Sequence, residues 1–365
     1  MPSILDLNRD DPFSPSPGEL ARLLAGEGPD DRLFAVARDT LLSTVGDGIY
    51  LRGLVETSNK CRKNCLYCGL RRDNSNVFRY DMSADEILAA METGYASGLR
   101  SFLLQSGELP DRRHLDLVEE VLLRTAGSMP GTRMVLSMGE LPEETLARLR
   151  TAGAHRYLLR IESSSSDLYS RFHPGDMLHN YAARVAVLRN LRSSGWQTGT
   201  GVLIGLPGQT RDHLAADLMF MKDLDIDMCG MGPYLPHGDT PMMDVPGDMP
   251  SPGERVLLTL RMIALARILM PTINIAATTA LQTLDLRGLE MGLNAGANVV
   301  MPNLTPAGYR SEYNLYQGKV QVDDGLEEML GTLRARCSTL DRKVMTGNAG
   351  DPVHYSLRCG GGVSR

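Results

Sequence analysis

From residue 51 onward, short β-type runs alternate with longer segments of helical period, and polar or glycine-rich turns lie between them. The β-type runs are Leu51–Glu56, Ser101–Leu104, Arg133–Leu136, Arg156–Arg160, Gln197–Ile204, Asp227–Met231, Thr272–Ile275 and Ala297–Met301. The helical segments are Ala84–Ser97, Arg112–Thr125, Glu143–Thr151, Tyr181–Arg192, Arg211–Leu224, Glu254–Met270 and Thr283–Leu293. Parallel strands need crossover helices, so strict alternation restricts the chain to α/β architectures. An open doubly wound sheet also alternates, but eight units favour closure into a (β/α)8 TIM barrel.

The flanks divide the chain further. Residues 1–50 are rich in Pro and Asp and carry two short amphipathic patterns, Gly18–Leu24 and Asp31–Leu42, which predict an N-terminal helical extension. The barrel is expected over 51–320, and 321–365 reads as a short C-terminal tail with one helix, Gly325–Cys337, and a glycine-rich end. Composition excludes some partners. A net charge of -6 argues against a nucleic-acid surface, which needs clustered Lys and Arg. No run approaches the ~20 apolar residues of a membrane helix, and Asp6, Asp10 and Asp11 occupy a start where a secretory signal would be basic and then apolar. The expected localisation is cytoplasmic. The 20 Met read as soft core filling.

In a β/α barrel the chemistry gathers where strands end and loops begin, which makes the loops a functional test. The first carries Cys61-Arg62-Lys63-Asn64-Cys65-Leu66-Tyr67-Cys68, which is half of the six cysteines in the chain. Thiolates suit zinc or iron–sulfur clusters. Structural zinc sites usually pair two C-x2-C units or add His, and no second pair is present. Three sulfurs on one loop instead suit three corners of a 4Fe–4S cubane, whose fourth iron stays open.

After the second run comes Ser106-Gly107-Glu108, where glycine allows close backbone approach and the carboxylate can accept from an ammonium. Arg160 and Glu162 flank Ile161 and so share one face of the fourth run, as a functional pair or a structural ion pair. Gly199–Gly201 and Gly205–Gly208 read either as backbone approach to an adenine or as turn-forming glycine alone.

Taken in order, the motifs resemble a known family. The cysteine run is similar to the radical S-adenosylmethionine (SAM) signature. Glu56–Asn59, Gly69–Asn74, Leu104–Glu108, Tyr157–Arg160, Gly205–Thr210, Gly232–His237, Ala277–Ala280, Met301–Asn303, Tyr309-Arg310 and Tyr316–Lys319 resemble the HydE family of FeFe-hydrogenase maturation enzymes. Biotin synthase and methylornithine synthase match fewer of these strings. The resemblance covers about residues 45 to 320 and implies one 4Fe–4S cluster on Cys61, Cys65 and Cys68, with SAM as second cofactor. It implies reductive cleavage of SAM to a 5′-deoxyadenosyl radical, which acts on an iron complex carrying carbon monoxide, cyanide and cysteine.

It also implies roles for residues. Glu108 and Arg184 would hold the SAM methionine end and Glu162 the ribose, with Tyr67, Ser106, Gly107 and Gly205 around them. Arg160, Thr278, Thr279 and Tyr309 would line the substrate cavity, although Thr278 and Thr279 also fit plain strand-end hydrogen bonding. Some HydE members carry three further cysteines after the Gly-Lys motif. Here Lys319 is followed by Val320-Gln321-Val322, with only Cys337 and Cys359 beyond, so no second cluster is expected.

The implied partners are a small organometallic substrate, other hydrogenase maturases, and a low-potential electron donor (flavodoxin or ferredoxin). Arg62, Lys63, Arg71 and Arg72 would either dock that donor or simply be solvated. Two other functions stay open: an amino-acid mutase resembling methylornithine synthase, and a non-enzymatic barrel with structural cysteines.

Overall fold

The computed structural model describes residues 15–318 and 325–360. Lys319, Val320, Gln321 and Val322, the first residues of the chain and the glycine-rich end lie outside the described residues.

Seven strands pair in parallel in chain order, beginning with Gly53–Ser58, Ser101–Ser106, Arg133–Ser137, Ala154–Leu158 and Gln197–Thr200, and ending with Met228–Cys229 and Asn274–Ile275. The eighth run closes the barrel. On one side Asn298 N donates to Ile275 O (2.9 Å) and Ala277 N to Val299 O (2.9 Å). On the other, Arg52 N donates to Val300 O (2.9 Å), Leu54 N to Pro302 O (2.8 Å) and Leu304 N to Leu54 O (2.8 Å). The expected (β/α)8 barrel is therefore present.

Side chains alternate across each strand, so every second residue enters the barrel. Leu54, Leu103, Val135 and Met228 meet there with Met301 as a small apolar plug, separate from the large core between strands and helices. Below the plug lies a floor, and above it a polar mouth at the C-terminal ends of the strands.

Local chemistry places the helices. Ser83 with Glu86 and Ser251 with Glu254 form capping boxes that start Ala84–Ala96 and Pro252–Leu269. The N-terminal helices Pro17–Ala25 and Asp30–Thr44 pack on Arg211–Asp223 and Pro252–Leu269. Arg261 Nε fixes the second of them through Asp30 at 2.7 Å. Among the described residues no helix is long and apolar enough to cross a membrane.

Three differences from expectation stand out. The first strand starts at Gly48 and breaks at Arg52, so the run is longer than its apolar stretch. The single helix expected over Thr283–Leu293 is two, Thr279–Leu284 and Gly288–Asn294, divided by Asp285-Leu286-Arg287. The tail adds a parallel strand, Lys343–Met345, beside Gly48–Tyr50, and a helix, Val353–Arg358. Between the two it crosses the floor, where Arg156 Nη2 donates to Ala349 O (2.9 Å) and pairs with Asp351 (2.8 Å).

Candidate active site

The cysteine loop leaves the first strand at Ser58 and is held from below. Gly107 N donates to Ser58 O (3.1 Å) and Arg62 N to Glu108 O (2.8 Å). A Cβ on Gly107 would stand 2.2 Å from Lys60 O and 2.8 Å from Cys61 Cβ, so only glycine lets the two loops meet. Burial pushes the Cys61 thiol up, the Cys65 thiol up to about 12 and the Cys68 thiol higher still. Arg184 and Lys63 oppose the shift at Cys65. Half-buried thiols of this kind lose their protons to a bound metal, not to solvent.

Glu108 is almost fully buried. Its Oε1 receives Arg62 Nε (3.0 Å), and its Oε2 accepts from Glu140 N (2.9 Å). Glu140 follows the third strand on the same rim, but in the sequence nothing gives it a role beyond that of a loop acid. In the fold its Oε1 gathers Lys63 Nζ at 2.8 Å and Arg184 Nη1 at 2.7 Å. Arg184 Nε also donates to Arg160 O (2.7 Å). The structure thus brings Glu108 and Arg184 to the cysteine loop and joins them through Glu140.

The segment between Phe172 and Tyr181 supplies two further residues that the sequence did not reveal. His173 stays neutral, because burial lowers its pKa to about 3. Its Nδ1–H donates to Tyr169 O (2.8 Å), leaving Nε2 to accept from the Tyr67 hydroxyl (3.1 Å). His179 Nε2 accepts from Asn64 N (2.9 Å), so its Nδ1–H faces Asp176 (2.6 Å). Both histidines clamp the cysteine loop.

Glu162 takes φ +65°, an uncommon and strained conformation for a non-glycine residue. Two backbone bonds to the neighbouring strand hold it, Glu162 N to Gly201 O (3.1 Å) and Leu203 N to Glu162 O (3.1 Å). Two residues on, Asp217 accepts from both the N–H and the hydroxyl of Ser164 at 2.6 Å. Burial raises the Asp217 carboxyl to about 6. Arg160 Nη2 lies 3.0 Å from Glu162 Oε2, yet that oxygen accepts no well-directed hydrogen bond, and Arg160 Nε and Thr278 Oγ1 have no partner either. Three unsatisfied polar atoms at one mouth mark a place prepared for a polar ligand.

The inner wall beside them holds Gln105, whose amide reaches the Tyr313 hydroxyl (3.2 Å), and Asn303, whose Nδ2 donates to Glu56 Oε2 (3.1 Å). Tyr316 lies within electrostatic reach of Glu56 and Arg160.

Other expected site residues are placed elsewhere. Tyr309 stands on the outer rim, its hydroxyl on Glu86 (2.7 Å) and its ring against Tyr80. Tyr313 and Tyr316, farther along the same segment, face the mouth in its stead. Thr279 opens the helix Thr279–Leu284 and lines a cavity of about 160 Å3 under the helix Leu326–Ser338, outside the barrel. Strand alternation sends Thr278 inward and its neighbour outward. Gly205 (φ +83°) has its N–H engaged by Gln209 (2.7 Å) and its α-carbon covered by Arg255, which favours the turn-forming role. The Ser106 hydroxyl is spent on Gly107 O (2.8 Å) and His114 (3.3 Å). Lys63, expected among the docking cations, is buried.

The donor set fits the implied cofactors. Among the described residues no three His, Cys, Asp or Glu side chains stand close enough to clasp one metal ion. Three thiols on one loop, each within electrostatic reach of the others, suit a polynuclear cluster, whereas zinc needs four short bonds. Cys61, Cys65 and Cys68 would hold the cluster, and the mouth residues would hold SAM.

Comparison with known proteins agrees. Residues 55–221 match the radical SAM superfamily. The chain is 43% identical over 300 residues to the FeFe-hydrogenase maturase subunit HydE of Thermotoga maritima, covering 81% of each. It is 27% identical over 328 residues to a 3-methylornithine synthase of Methanosarcina acetivorans, covering 87% of this chain and 85% of the relative. In fold it resembles the crystal structure of methylornithine synthase, with a TM-score of 0.74, 24% identity and 92% of this chain and 95% of that one covered. The cysteine loop, the charged mouth and these likenesses together make the chain a radical SAM enzyme of the HydE family, which works with a 4Fe–4S cluster and SAM.

Proposed function

We propose that this enzyme takes part in building the diiron site of an FeFe-hydrogenase, acting on a small iron complex that carries carbon monoxide, cyanide and cysteine. When bound, the reduced cluster and SAM supply a 5′-deoxyadenosyl radical for attack on the sulfur of that complex. Glu108 and Arg184 hold the SAM methionine end, and Glu162 accepts from the ribose hydroxyls. Ordering the Glu162 loop through Ser164 and Asp217 keeps that strained carboxylate aimed inward.

The observation that carries the substrate reading is the polar chamber above the apolar plug. Arg160 and Thr278 offer unpaired atoms, and Gln105, Asn303 and Tyr313 stand beside them. Guanidinium, amide and hydroxyl donors suit the nitrogen of a bound cyanide and the carboxylate of cysteine. The plug of Leu54, Leu103, Val135, Met228 and Met301 closes the chamber below and limits water around a radical. The electron donor docks on the exposed side of the cysteine loop through Arg62, Arg71 and Arg72. Other hydrogenase maturases supply the substrate and receive the product.

A second reading draws on the likeness to 3-methylornithine synthase: Arg160 would serve an amino-acid carboxylate equally well. Supplying the iron–cysteine complex and L-lysine separately to the reduced, SAM-loaded enzyme decides. Adenosylation of the complex sulfur supports maturation. Rearranged lysine with an untouched iron complex overturns it.

A further inference from the structure

The cysteine loop carries its own buried cation. Lys63 lies two residues from both Cys61 and Cys65, and its side chain is only 4% exposed. Its backbone N–H donates to Cys61 Sγ at 3.4 Å. Its ammonium reaches Glu140 Oε1 (2.8 Å), Glu108 Oε1 (3.5 Å) and the Leu178 carbonyl. An ammonium is taken out of water only where several acceptors meet it. Here three loops each supply one, so the burial is built and not incidental.

Iron–sulfur potentials follow net charge, hydrogen bonds to sulfur and solvent exposure. We propose that Lys63 and Glu140 act as an opposed pair that sets the reduction potential of the cluster. Lys63 raises the potential, through its charge and its N–H···S bond. Glu140 lowers it, while binding Lys63 and Arg184 in place. Reduction adds one electron from a low-potential donor and moves no proton, so fixed charges this close shift the equilibrium directly. The surrounding protein screens them far less than water would. The inference rests on Cys61, Cys65 and Cys68 holding the cluster. Neither residue touches SAM or substrate in this scheme; both are positioning residues.

The test is a potentiometric titration of the anaerobically reconstituted full chain with dithionite, followed by electron paramagnetic resonance without SAM. Lys63→Met should shift the reduction equilibrium about tenfold toward the oxidised cluster, which for one electron is about 59 mV lower. Lys63→Arg should restore most of the loss, because it keeps the charge. Glu140→Gln should shift the equilibrium about tenfold the other way. Opposite shifts support the pair. Shifts in the same direction, as general loosening would give, or two unmoved potentials overturn it. If Lys63→Met assembles no cluster, Glu140→Gln alone decides: a higher potential supports the proposal, and an unchanged or lower one sinks it. Failure of the ligand assignment looks different: Cys65→Ala would then keep about four irons per chain.

Discussion

The two ends of the barrel both bury charge, but they finish it differently. On the floor, the fully buried Arg156 makes four hydrogen bonds, to Gln197 (2.6 Å), Ser101 (2.8 Å), Ala349 O (2.9 Å) and Asp351 (2.8 Å). Beside it His354 bridges Asp225 (2.8 Å) and Asp227 (2.9 Å), and Arg358 holds Asp227 at 2.7 Å. Arg52 Nε and Thr132 Oγ1 are exceptions there. At the mouth, Glu162 Oε2, Arg160 Nε and Thr278 Oγ1 remain unsatisfied around a strained backbone. The floor completes itself with the chain's own tail and serves stability. The mouth stays open, and the atoms it leaves without a well-directed hydrogen bond are its capacity to bind.

Mutations at the two ends should therefore separate folding from chemistry. The largest effect belongs to the mouth: Cys65→Ala should abolish both the cluster and SAM cleavage, while thermal unfolding of the cluster-free chain stays near that of the cluster-free parent. Iron analysis and calorimetry check this. On the floor, Arg156→Met leaves Asp351 with Gln197 and Arg133 but deletes four hydrogen bonds, and it should cost about 2–3 kcal/mol in denaturant unfolding. SAM cleavage per folded molecule should not change.

Acid should weaken the floor specifically. Burial alone would raise the Asp351 carboxyl, but Arg156 and Gln197 hold it down at about 2. A depressed carboxylate stabilises the fold above its unfolded pKa of 3.8 and loses that stability as pH falls toward 2. Unfolding curves should show up to about 2 kcal/mol lost over that window, a loss that Asp351→Asn should lack. Glu162→Gln should weaken SAM binding about tenfold, the size expected for one charged hydrogen bond, with unfolding unchanged. The smallest contrast divides neighbours: Thr278→Ala should raise substrate KM a few-fold, about one hydrogen bond's worth, while Thr279→Ala leaves it unmoved. Equal effects from both would erase the inward–outward distinction.

Much of the mouth was legible because its signals are local. Cys61, Cys65 and Cys68 sit in one loop, and Ser106-Gly107-Glu108 ends a recognisable strand. The alternation of apolar runs revealed the eight units, since each strand packs on the helix that follows it. What escaped depends on long-range pairing. Lys63 and Glu140 look like solvated loop charges until the fold joins residues 77 positions apart. His173 and His179 lie in a stretch without periodicity. The resemblance points to Tyr309, but Tyr309, Tyr313 and Tyr316 share one irregular segment whose facing only the loop geometry decides. The floor was almost silent. Lys343–Met345 is too short to alternate, and Asp351 finds Arg156 across 195 residues.

On the proposed reading, SAM is bound and cleaved at the mouth and not at the floor. The decisive measurement is 5′-deoxyadenosine released by the anaerobically reconstituted enzyme under dithionite, run side by side for the parent chain, Arg156→Met and Glu108→Ala. The parent and the folded Arg156→Met protein should release it at equal rates, and Glu108→Ala should release almost none. Intact SAM in the fully reduced, cluster-loaded parent, or undiminished release from Glu108→Ala, would contradict the assignment of the mouth as the site of chemistry.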